Sequence, residues 1–506
     1  MRYNVLQYLE DTLQRVPNKI AFTDGERGLT FIEFAQHAKA IGSYLSERIK
    51  PRKPVAVLME KTPEEIAAFE GAVYAGCFYV PLDAKMPAER MQMILDTLEP
   101  AYLIYDEKSS KLLEKLTVTC SAVLYNEVAD SAVDETRLQK IRRQANDTDI
   151  LYVLFTSGST GRPKGVTISH KAMIDFTENC YLPMRFSENT RFGNQVPFYF
   201  DMSTLEIYTT LKMGASMFII PRKCFMFPKM MVEYLEQYEI NTIFWVPYAM
   251  IQLANAEVLN ADKLHELKTI TFCGEVMPCK HLNVWMKALP DALYANLYGP
   301  TETTCASTYY IVDREFADDD SLPIGIPFEN TRVYIEKEDG TEAETGELGE
   351  LILGGSGLSA GYYNNKEITD KVFTQSALHQ HYYDRVYHTG DLAKYDVTGN
   401  LIFCGRKDYQ IKHQGYRIEL GEIETAISAM EAIQNVCCIY AKAQDYIVCY
   451  YIGNLTSKDI LTELKMKVPS YMLPDKMIQM EAFPQNLSGK IDRKLLQQQY
   501  IDSMDL

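Results

Sequence analysis

The stretch Leu151–Val166, LYVLFTSGSTGRPKGV, decides the fold. Its first five residues are apolar and predict a buried strand, after which threonine, serine and glycine fill positions 156 to 161. Lys164 then precedes a second short apolar run. Glycines let backbone N–H groups turn toward an anion, hydroxyls add donors, and the lysine adds a positive charge. We therefore expect a loop that holds a polyphosphate.

Two alternatives for this loop follow from the same residues. A Walker A loop requires glycine where Pro163 stands and serine or threonine where Gly165 stands, so the pattern excludes it. A flexible turn without a ligand stays open, although it would require neither the lysine nor the run of hydroxyl residues.

The net charge, the cysteine count and the apolar runs of the chain argue against several classes of protein. The chain has 506 residues, enough for several domains, and a net charge of −17, which argues against nucleic-acid binding. Its eleven cysteines form no C-x-x-C pair, so we expect neither a zinc site nor a disulfide framework, but a reduced, cytoplasmic protein. We expect no signal peptide and no membrane span, because every apolar run is short or contains charges.

The first 150 residues alternate between predicted helices and strands. Capping boxes begin helices at Thr30 and, together with Pro63, at Thr62. Strands are predicted at Val55–Met59 and Phe78–Val80. Strands separated by helices predict an α/β protein with a largely parallel, helix-covered sheet.

The loop TSGSTGRPKGV resembles the signature of the adenylate-forming superfamily, which contains acyl-CoA synthetases, luciferases and the adenylation domains that load carrier proteins. Further motifs follow in the order of that family: NLYGPTETT (296–304), YHTGD (387–391), GRKD (405–408) and PQNLSGKID (484–492). The resemblance implies an N-terminal domain of mainly parallel sheets, residues 1–407. It also implies a small α+β C-terminal lid domain, residues 408–506, with its hinge at Asp408.

The resemblance also implies a nucleotide site. Lys490, Lys164 and Glu302 would be catalytic, with Glu302 the ligand of Mg²⁺, which needs only one or two carboxylates beside phosphates. A plain Tyr-Gly-Pro turn and a surface lysine at 490 are the alternatives. The residues implied to bind ATP are Thr156, Ser157, Gly158, Ser159, Thr160, Gly161, Lys164, Asn296, Tyr298, Gly299, Thr301, Asp391, Phe403, Arg406 and Lys490.

Within that set, the resemblance gives individual roles to four residues. Tyr298 and Phe403 would close the two faces of adenine, and Asp391 would hold the ribose hydroxyls. Arg406 would be a second contact to the ribose or a phosphate.

Asp201 is the residue that most narrows the substrate. From the pattern alone, Ser203 and Glu206 could form a capping box with Asp201 as a solvated acid before it. In the family, Asp201 resembles the acid that pairs with the α-ammonium group of an amino acid. A buried carboxylate without a cationic partner is costly, so its presence favours an amino-acid substrate.

The resemblance places further residues around the substrate, and bulky members among them leave room only for a small side chain. Cys273 lies in the sequence FCGEV (272–276), which the ligases that attach D-alanine to carrier proteins share, although it could equally fill the core. Leu297 and Cys305 depart from a pure alanine pocket. The substrate set is Asp201, Met202, Leu205, Phe244, Thr271, Cys273, Gly274, Leu297, Cys305 and Ala306.

The function implied is ATP-dependent activation of a small amino acid, with D-alanine first, as aminoacyl-AMP. The amino acid is then transferred to the phosphopantetheine thiol of a separate carrier protein, because only a short segment follows Lys490. We expect a monomer that uses ATP and Mg²⁺. A freestanding nonribosomal-peptide adenylation enzyme for another small or apolar amino acid is the alternative. Asp201 disfavours an acyl-CoA synthetase, and Lys490 with Glu302 disfavours a non-catalytic binding protein.

Overall fold

A computed structural model describes residues 2–158, 162–485 and 491–504. The strands up to residue 407 are β1 Ile20–Thr23, β2 Gly28–Thr30, β3 Pro54–Met59, β4 Phe78–Asp83, β5 Tyr102–Tyr105, β6 Ser121–Leu124, β7 Ile150–Thr156, β8 Lys164–Ser169, β9 Arg191–Asn194, β10 Ser216–Ile219, β11 Thr242–Trp245, β12 Thr269–Cys273, β13 Leu293–Tyr298, β14 Thr308–Ile311, β15 Ile326–Pro327, β16 Thr331–Glu336, β17 Gly349–Gly355, β18 Gly361–Tyr362, β19 Phe373–Gln375, β20 Arg385–Tyr395 and β21 Leu401–Arg406.

The helices of the same part are α1 Leu6–Arg15, α2 Phe31–Ser46, α3 Pro63–Tyr74, α4 Ala88–Leu98, α5 Ser110–Leu113, α6 Tyr125–Val128, α7 Glu135–Arg142, α8 His170–Cys180, α9 Met202–Met213, α10 Arg222–Met226, α11 Pro228–Gln237, α12 Pro247–Asn255, α13 Cys279–Ala288 and α14 Lys366–Val372. The C-terminal part contains β22 Gln410–His413, β23 Tyr416–Glu419, α15 Leu420–Ser428, β24 Ile433–Ala441, β25 Tyr446–Gly453, α16 Ser457–Lys467, β26 Lys476–Gln479 and α17 Arg493–Met504. Short 3-10 turns lie at Thr301–Thr303 and Ser470–Met472.

Two large sheets form the core of the N-terminal part. One has the order β15-β14-β13-β12-β11-β9-β10-β1-β2 and is parallel from β13 to β1. The other has the order β18-β8-β7-β4-β3-β5-β6 and is parallel from β7 to β6. Their central strands are buried along their whole length, as in β3 and β12, because helices cover both faces. The predicted fold class is confirmed.

A third sheet is antiparallel and was not predicted separately. β16, β17, β20 and β19 pair in that order, and β21 pairs with β20. Its strands carry Asp391 and Arg406 to the neighbourhood of β13.

The C-terminal part has its own apolar core, in which Ile418, Ile423, Ile427 and Cys449 are buried together. β24 and β25 form an antiparallel pair that β26 extends in parallel, and helices pack beside them. This is the α+β organisation that the sequence predicts. The boundary at residues 407 and 408 and the hinge at Asp408 stay predictions. We call residues 408–506 the lid.

In the described residues, the structure contains no helix that is both long and apolar enough to cross a lipid bilayer.

The two predicted capping boxes have different outcomes. At Thr30 the box is formed, since Glu33 N donates to Thr30 Oγ1 at 3.4 Å and Thr30 N donates to Glu33 Oε2 at 2.9 Å. At Thr62 the prediction is wrong, because the Thr62 side chain accepts no capping hydrogen bond. Pro63 does begin α3, and its fixed φ and missing N–H suit that position without a side-chain cap.

This difference predicts unequal effects of two matched substitutions. Thr30→Ala removes a side-chain cap and is expected to lower the free energy of unfolding by about 1 kcal/mol. Thr62→Ala removes no capping hydrogen bond and serves as the control, and its free energy of unfolding is expected to fall by only a few tenths of a kcal/mol. Urea unfolding, followed by the fluorescence of the buried Trp245 and Trp285, measures both. Equal losses in the two variants would contradict this assignment.

Candidate active site

The carboxyl ends of parallel strands meet at one large cavity. β7, β12 and β13 end there at Thr156, Cys273 and Tyr298, and the cavity has a volume of about 1480 Å³. The hairpin β22–β23 of the lid lines its other side. Ligands of open α/β sheets bind outside the carboxyl ends of the strands, so this is the candidate active site.

The described residues of the predicted phosphate loop (156–164) run from the end of β7 at Thr156 to the start of β8 at Lys164. A Cβ on Gly158 would come within 2.0 Å of the carbonyl oxygen of Arg162, so this position requires glycine. Thr156 Oγ1 is buried and has no hydrogen-bond partner in the described part of the chain. Ser159, Thr160 and Gly161 lie outside the described residues, and so does Lys490.

Glu302 lies behind the wall of the cavity, which neither it nor Lys164 lines. It is fully buried in the 3-10 turn after β13. Its Oε1 accepts a hydrogen bond from the Tyr362 hydroxyl at 2.6 Å and lies 3.4 Å from Lys164 Nζ, while its Oε2 lies 2.7 Å from Arg417 Nη1. Burial acts to raise the pKa of the Glu302 carboxyl, but Arg417 and Lys164 outweigh it and hold that pKa well below its usual value.

The chain after Glu302 is strained. Thr304 and Cys305 both have left-handed backbones, with φ of 63° and 69°, although neither is glycine. A Cβ on the nearby Gly299 would lie 2.6 Å from the Cα of Ala306. Strained residues cluster at functional sites, where surrounding contacts hold them. Here the Thr304 hydroxyl donates to the Gly357 carbonyl at 2.7 Å.

Asp201 precedes the first residue of α9 and faces the cavity. The alternative capping box is wrong, because Ser203 and Glu206 lie inside α9 and its cap position is Asp201 itself. Burial raises the pKa of Asp201, against the opposing effects of the Thr301 hydroxyl and the Lys412 charge. In the described part of the chain, no side-chain nitrogen of a lysine, arginine or histidine lies within 4.0 Å of the Asp201 carboxylate oxygens. A cationic ligand would therefore meet a carboxylate that forms no ion pair with the described residues.

The residues predicted to hold adenine and ribose come together. The rings of Tyr298 and Phe403 lie 6.5 Å apart at 37°, close to the gap of about 7 Å that two van der Waals contacts on a flat ring require. The Tyr298 hydroxyl donates to one oxygen of Asp391, and Arg406 pairs with the other. Arg406 also binds both oxygens of Asp408, at 2.6 and 2.7 Å.

Four other predicted nucleotide contacts also line the cavity: Ser157, Asn296, Gly299 and Thr301. Asn296 is buried at its edge, where its amide donates to the Pro323 carbonyl at 2.8 Å. Thr301 lies beside Asp201.

The predicted substrate residues divide into two groups. Asp201, Met202, Cys273, Gly274, Leu297 and Cys305 line the cavity. Four others do not line it and are buried behind it: Leu205, Phe244, Thr271 and Ala306. Thr271, for example, uses its hydroxyl to donate to the Ile243 carbonyl at 2.9 Å. In this structure their contribution is to the packing behind the wall.

Several polar residues of the site were not predicted. Glu275 accepts hydrogen bonds from the backbone N–H of Gly415 at 2.7 Å and of Tyr248 at 3.1 Å. Arg417 and Glu422 of the lid reach the phosphate loop, and Tyr362 reaches Glu302. The segment GYRIELGE (415–422) carries the available signal, a glycine followed by alternating charged and apolar residues, but their partners are far away in the chain.

The sequence as a whole identifies the class of protein. The profile of the family described as AMP-binding enzyme matches residues 9–363, and the chain belongs to this family. It is therefore an enzyme of the adenylate-forming kind, as the motifs predicted.

Particular relatives are similar over most of the chain. The D-alanine–D-alanyl carrier protein ligase of Listeria welshimeri is 34% identical over 520 residues, which cover 99% of this chain and 99% of that protein. Tyrocidine synthase 1 of Brevibacillus parabrevis is 30% identical, over 97% of this chain and 45% of that protein. The Vibrio cholerae adenylation domain AlmE, solved in complex with glycyl-adenosine-5′-phosphate, has a TM-score of 0.84 over 99% of this chain and 98% of its own. At 24% identity, this last likeness shows the fold.

Proposed function

We propose that this enzyme activates a small amino acid, D-alanine, with ATP and transfers it to the phosphopantetheine thiol of a separate carrier protein. The full-length similarity to D-alanine–D-alanyl carrier protein ligases supports this substrate and this partner. The observation that carries the proposal is the Asp201 carboxylate, which faces the cavity beside Met202 and Cys273 without a salt bridge to any described residue.

The first half-reaction joins the amino acid to AMP. A carboxylate oxygen of the amino acid attacks the α-phosphorus of ATP, and the bond to the bridging oxygen breaks as pyrophosphate leaves. Asp201 would hold the ammonium group, and Tyr298 with Phe403 would hold adenine. Asp391 would exchange its hydrogen bond from Tyr298 for the ribose hydroxyls. Lys164, buried between Glu302 and Tyr362, would face the phosphates with a fixed positive charge.

The residues present fit a Mg²⁺ ion. Glu302 would supply a buried carboxylate. Thr156, which pairs with Lys164 in the β7–β8 register, has a hydroxyl with no hydrogen-bond partner among the described residues. When bound, Mg²⁺ neutralises the charge that develops on the leaving pyrophosphate. Lys490, predicted from the lid, would add charge at the α-phosphate.

The second half-reaction forms the thioester. The pantetheine thiol attacks the carbonyl carbon of the adenylate, the bond to the phosphate oxygen breaks, and AMP leaves. The lid position of this structure suits that step, since the hairpin around Gly415 lies against the cavity. Gly415 has a φ of 86°, and a Cβ there would lie 2.9 Å from the Val246 side chain, so the approach requires glycine.

We further propose a monomer that acts in the cytoplasm. The eleven cysteines are all free thiols, which is typical of proteins from reducing compartments.

The amino-acid assignment predicts the behaviour of Asp201→Ala. Wild-type enzyme is expected to exchange labelled pyrophosphate into ATP only with an amino acid, and most strongly with D-alanine. Removing the partner of the ammonium is expected to cost about 2–5 kcal/mol, or roughly 30-fold to several thousandfold in kcat/KM. Asp384→Ala, which removes an acid paired with Arg332 away from the cavity, is the control. Exchange with fatty or aryl acids alone would refute the proposal, whereas preference for another amino acid would select the peptide-synthetase alternative.

Cys273 predicts the size limit of the substrate. Its side chain lines the cavity, so Cys273→Ala is expected to admit amino acids larger by one or two carbons. A pocket discriminates by about 1–3 kcal/mol per methylene, so the preference is expected to shift roughly 10- to 200-fold toward the larger substrates. Phe244→Leu, which changes a residue buried behind the cavity wall, is the variant with which the preference of Cys273→Ala is compared. An unchanged ranking of amino acids in Cys273→Ala would show that Cys273 only fills the core.

The predicted hinge separates the two half-reactions. Because proline fixes φ near −65°, Asp408→Pro is expected to hold one lid position, which we expect to be that of adenylation. That variant would keep pyrophosphate exchange and lose transfer to the carrier protein. Lys490→Ala would do the reverse and still accept a presynthesised adenylate. Equal loss of both activities in both variants would refute a two-position lid.

A further inference from the structure

The junction between α10 and α11 exposes apolar and positively charged side chains together. Met226 ends α10 and is 69% exposed, and Phe227, which follows it, is 54% exposed. Arg222, Lys223 and Lys229 are exposed in the same segment. We call residues 222–229 the α10–α11 knuckle. Neighbouring exposed apolar side chains with a polar rim are typical of interaction surfaces.

The exposure of the two apolar side chains is fixed by their neighbours. Cys224 is buried, and the ring of Phe225 packs edge-on against the buried Trp245, at 6.2 Å and 68°. Pro228 begins α11 and keeps the residue before it extended. Because Cys224 and Phe225 already occupy the side of α10 that faces the core, the next two residues are held outside it. The knuckle is therefore apolar surface that the fold itself leaves uncovered.

The charges of the knuckle have no acidic partner among the described residues. Residues 222–232 contain three basic residues and no acidic one, whereas the whole chain has a net charge of −17. No side-chain nitrogen of Arg222, Lys223 or Lys229 lies within 4.0 Å of a carboxylate oxygen in the described ranges 2–158, 162–485 and 491–504. A positive surface of this kind on an acidic protein attracts a partner with an acidic face.

The knuckle lies beside the lid hairpin at the cavity. The strand against which it packs, β11, is followed by Val246, whose side chain lies against Gly415, since a Cβ on that glycine would come within 2.9 Å of it. Burial raises the pKa of the Tyr416 hydroxyl, and the nearby Arg222 charge opposes this rise. Gly415 and Tyr416 both line the cavity. A molecule docked on the knuckle would therefore stand next to the cavity.

We propose that the α10–α11 knuckle is a docking surface for the carrier protein, which meets it with an acidic face around an apolar hollow. This inference rests on the proposed function, in which the carrier must bring a thiol to the cavity. Met226 and Phe227 enter the hollow and supply most of the affinity, because a few buried anchors dominate an interface. The three cations steer the encounter and set its orientation.

An anionic lipid bilayer offers a similar combination of negative charge and apolar interior. A bilayer is flat, however, and on the knuckle it would extend over the neighbouring cavity that the thiol has to enter. A carrier protein brings the thiol to that place. The position of the knuckle therefore favours the carrier protein as its partner.

Transfer of D-alanine to a carrier protein tests the proposal. The probe is the phosphopantetheine-loaded D-alanyl carrier protein of Listeria welshimeri, the organism of the 34% identical ligase. Met226→Ser combined with Phe227→Ser is expected to raise the KM for the carrier about 10- to 100-fold. The kcat at saturating carrier and the amino-acid-dependent pyrophosphate exchange are expected to stay unchanged. Leu182→Ser, which changes an apolar residue outside the knuckle that is 70% exposed, is the control and is expected to leave that KM unaltered.

Charge reversal gives a second, independent variant. Arg222→Glu combined with Lys223→Glu and Lys229→Glu is expected to raise the KM for the carrier about tenfold at low salt, and added salt is expected to reduce the difference from the wild type. Lys371→Glu, which reverses an exposed charge on α14, is the matched control. A carrier KM that stays at the wild-type value in both knuckle variants would overturn the inference, while the exchange activity would leave the proposed amino-acid activation in place.

Two further outcomes are decided with the same proteins. Sedimentation with vesicles of phosphatidylglycerol and phosphatidylcholine measures binding to an anionic bilayer. Vesicle binding that both knuckle variants lose, together with an unaltered KM for the carrier, would assign the surface to a membrane and overturn the proposal. A wild-type enzyme that shows no amino-acid-dependent exchange, or that shows it and does not load the carrier, would contradict the proposed function, and the inference would fail with it.

Discussion

The candidate active site depends on the neutralisation of one buried carboxylate. Glu302 is fully buried, and an unpaired charge there would be costly. Lys164, Tyr362 and Arg417 each contact it, and they come from β8, from β18 and from the lid. The charge of Glu302 therefore ties three separate parts of the chain together.

The rest of the site follows from the ends of the strands. β7 delivers the phosphate loop, β12 delivers Cys273, and β13 delivers Tyr298 and the strained turn that carries Glu302. The antiparallel sheet brings Asp391 to Tyr298, so the proposed nucleotide contacts meet beside the proposed substrate pocket. In the proposed function, ATP, the amino acid and the lid would thus all meet at one cavity.

The sequence predicted most of what is local and little of what depends on docking. Tyr298 and Arg406 stand out because each belongs to a short motif at a strand end, and Asp391 because it ends a motif inside β20; their binding roles stay predictions. Phe244 and Thr271 were expected in the pocket, but a motif does not reveal whether a residue forms the wall or lies behind it. The roles of Arg417 and Glu422 were missed, because their partners lie 115 and 264 residues away in the chain. Such contacts depend on where the lid docks.

The most direct test of the account is a crystal structure of the enzyme with a non-hydrolysable D-alanyl-adenylate analogue. We predict the ammonium nitrogen about 2.7–2.9 Å from an Asp201 oxygen, as in charge-assisted hydrogen bonds. Adenine would lie between Tyr298 and Phe403, with the ribose hydroxyls on Asp391. An ammonium group that points away from Asp201, or an analogue bound elsewhere in the cavity, would contradict the account.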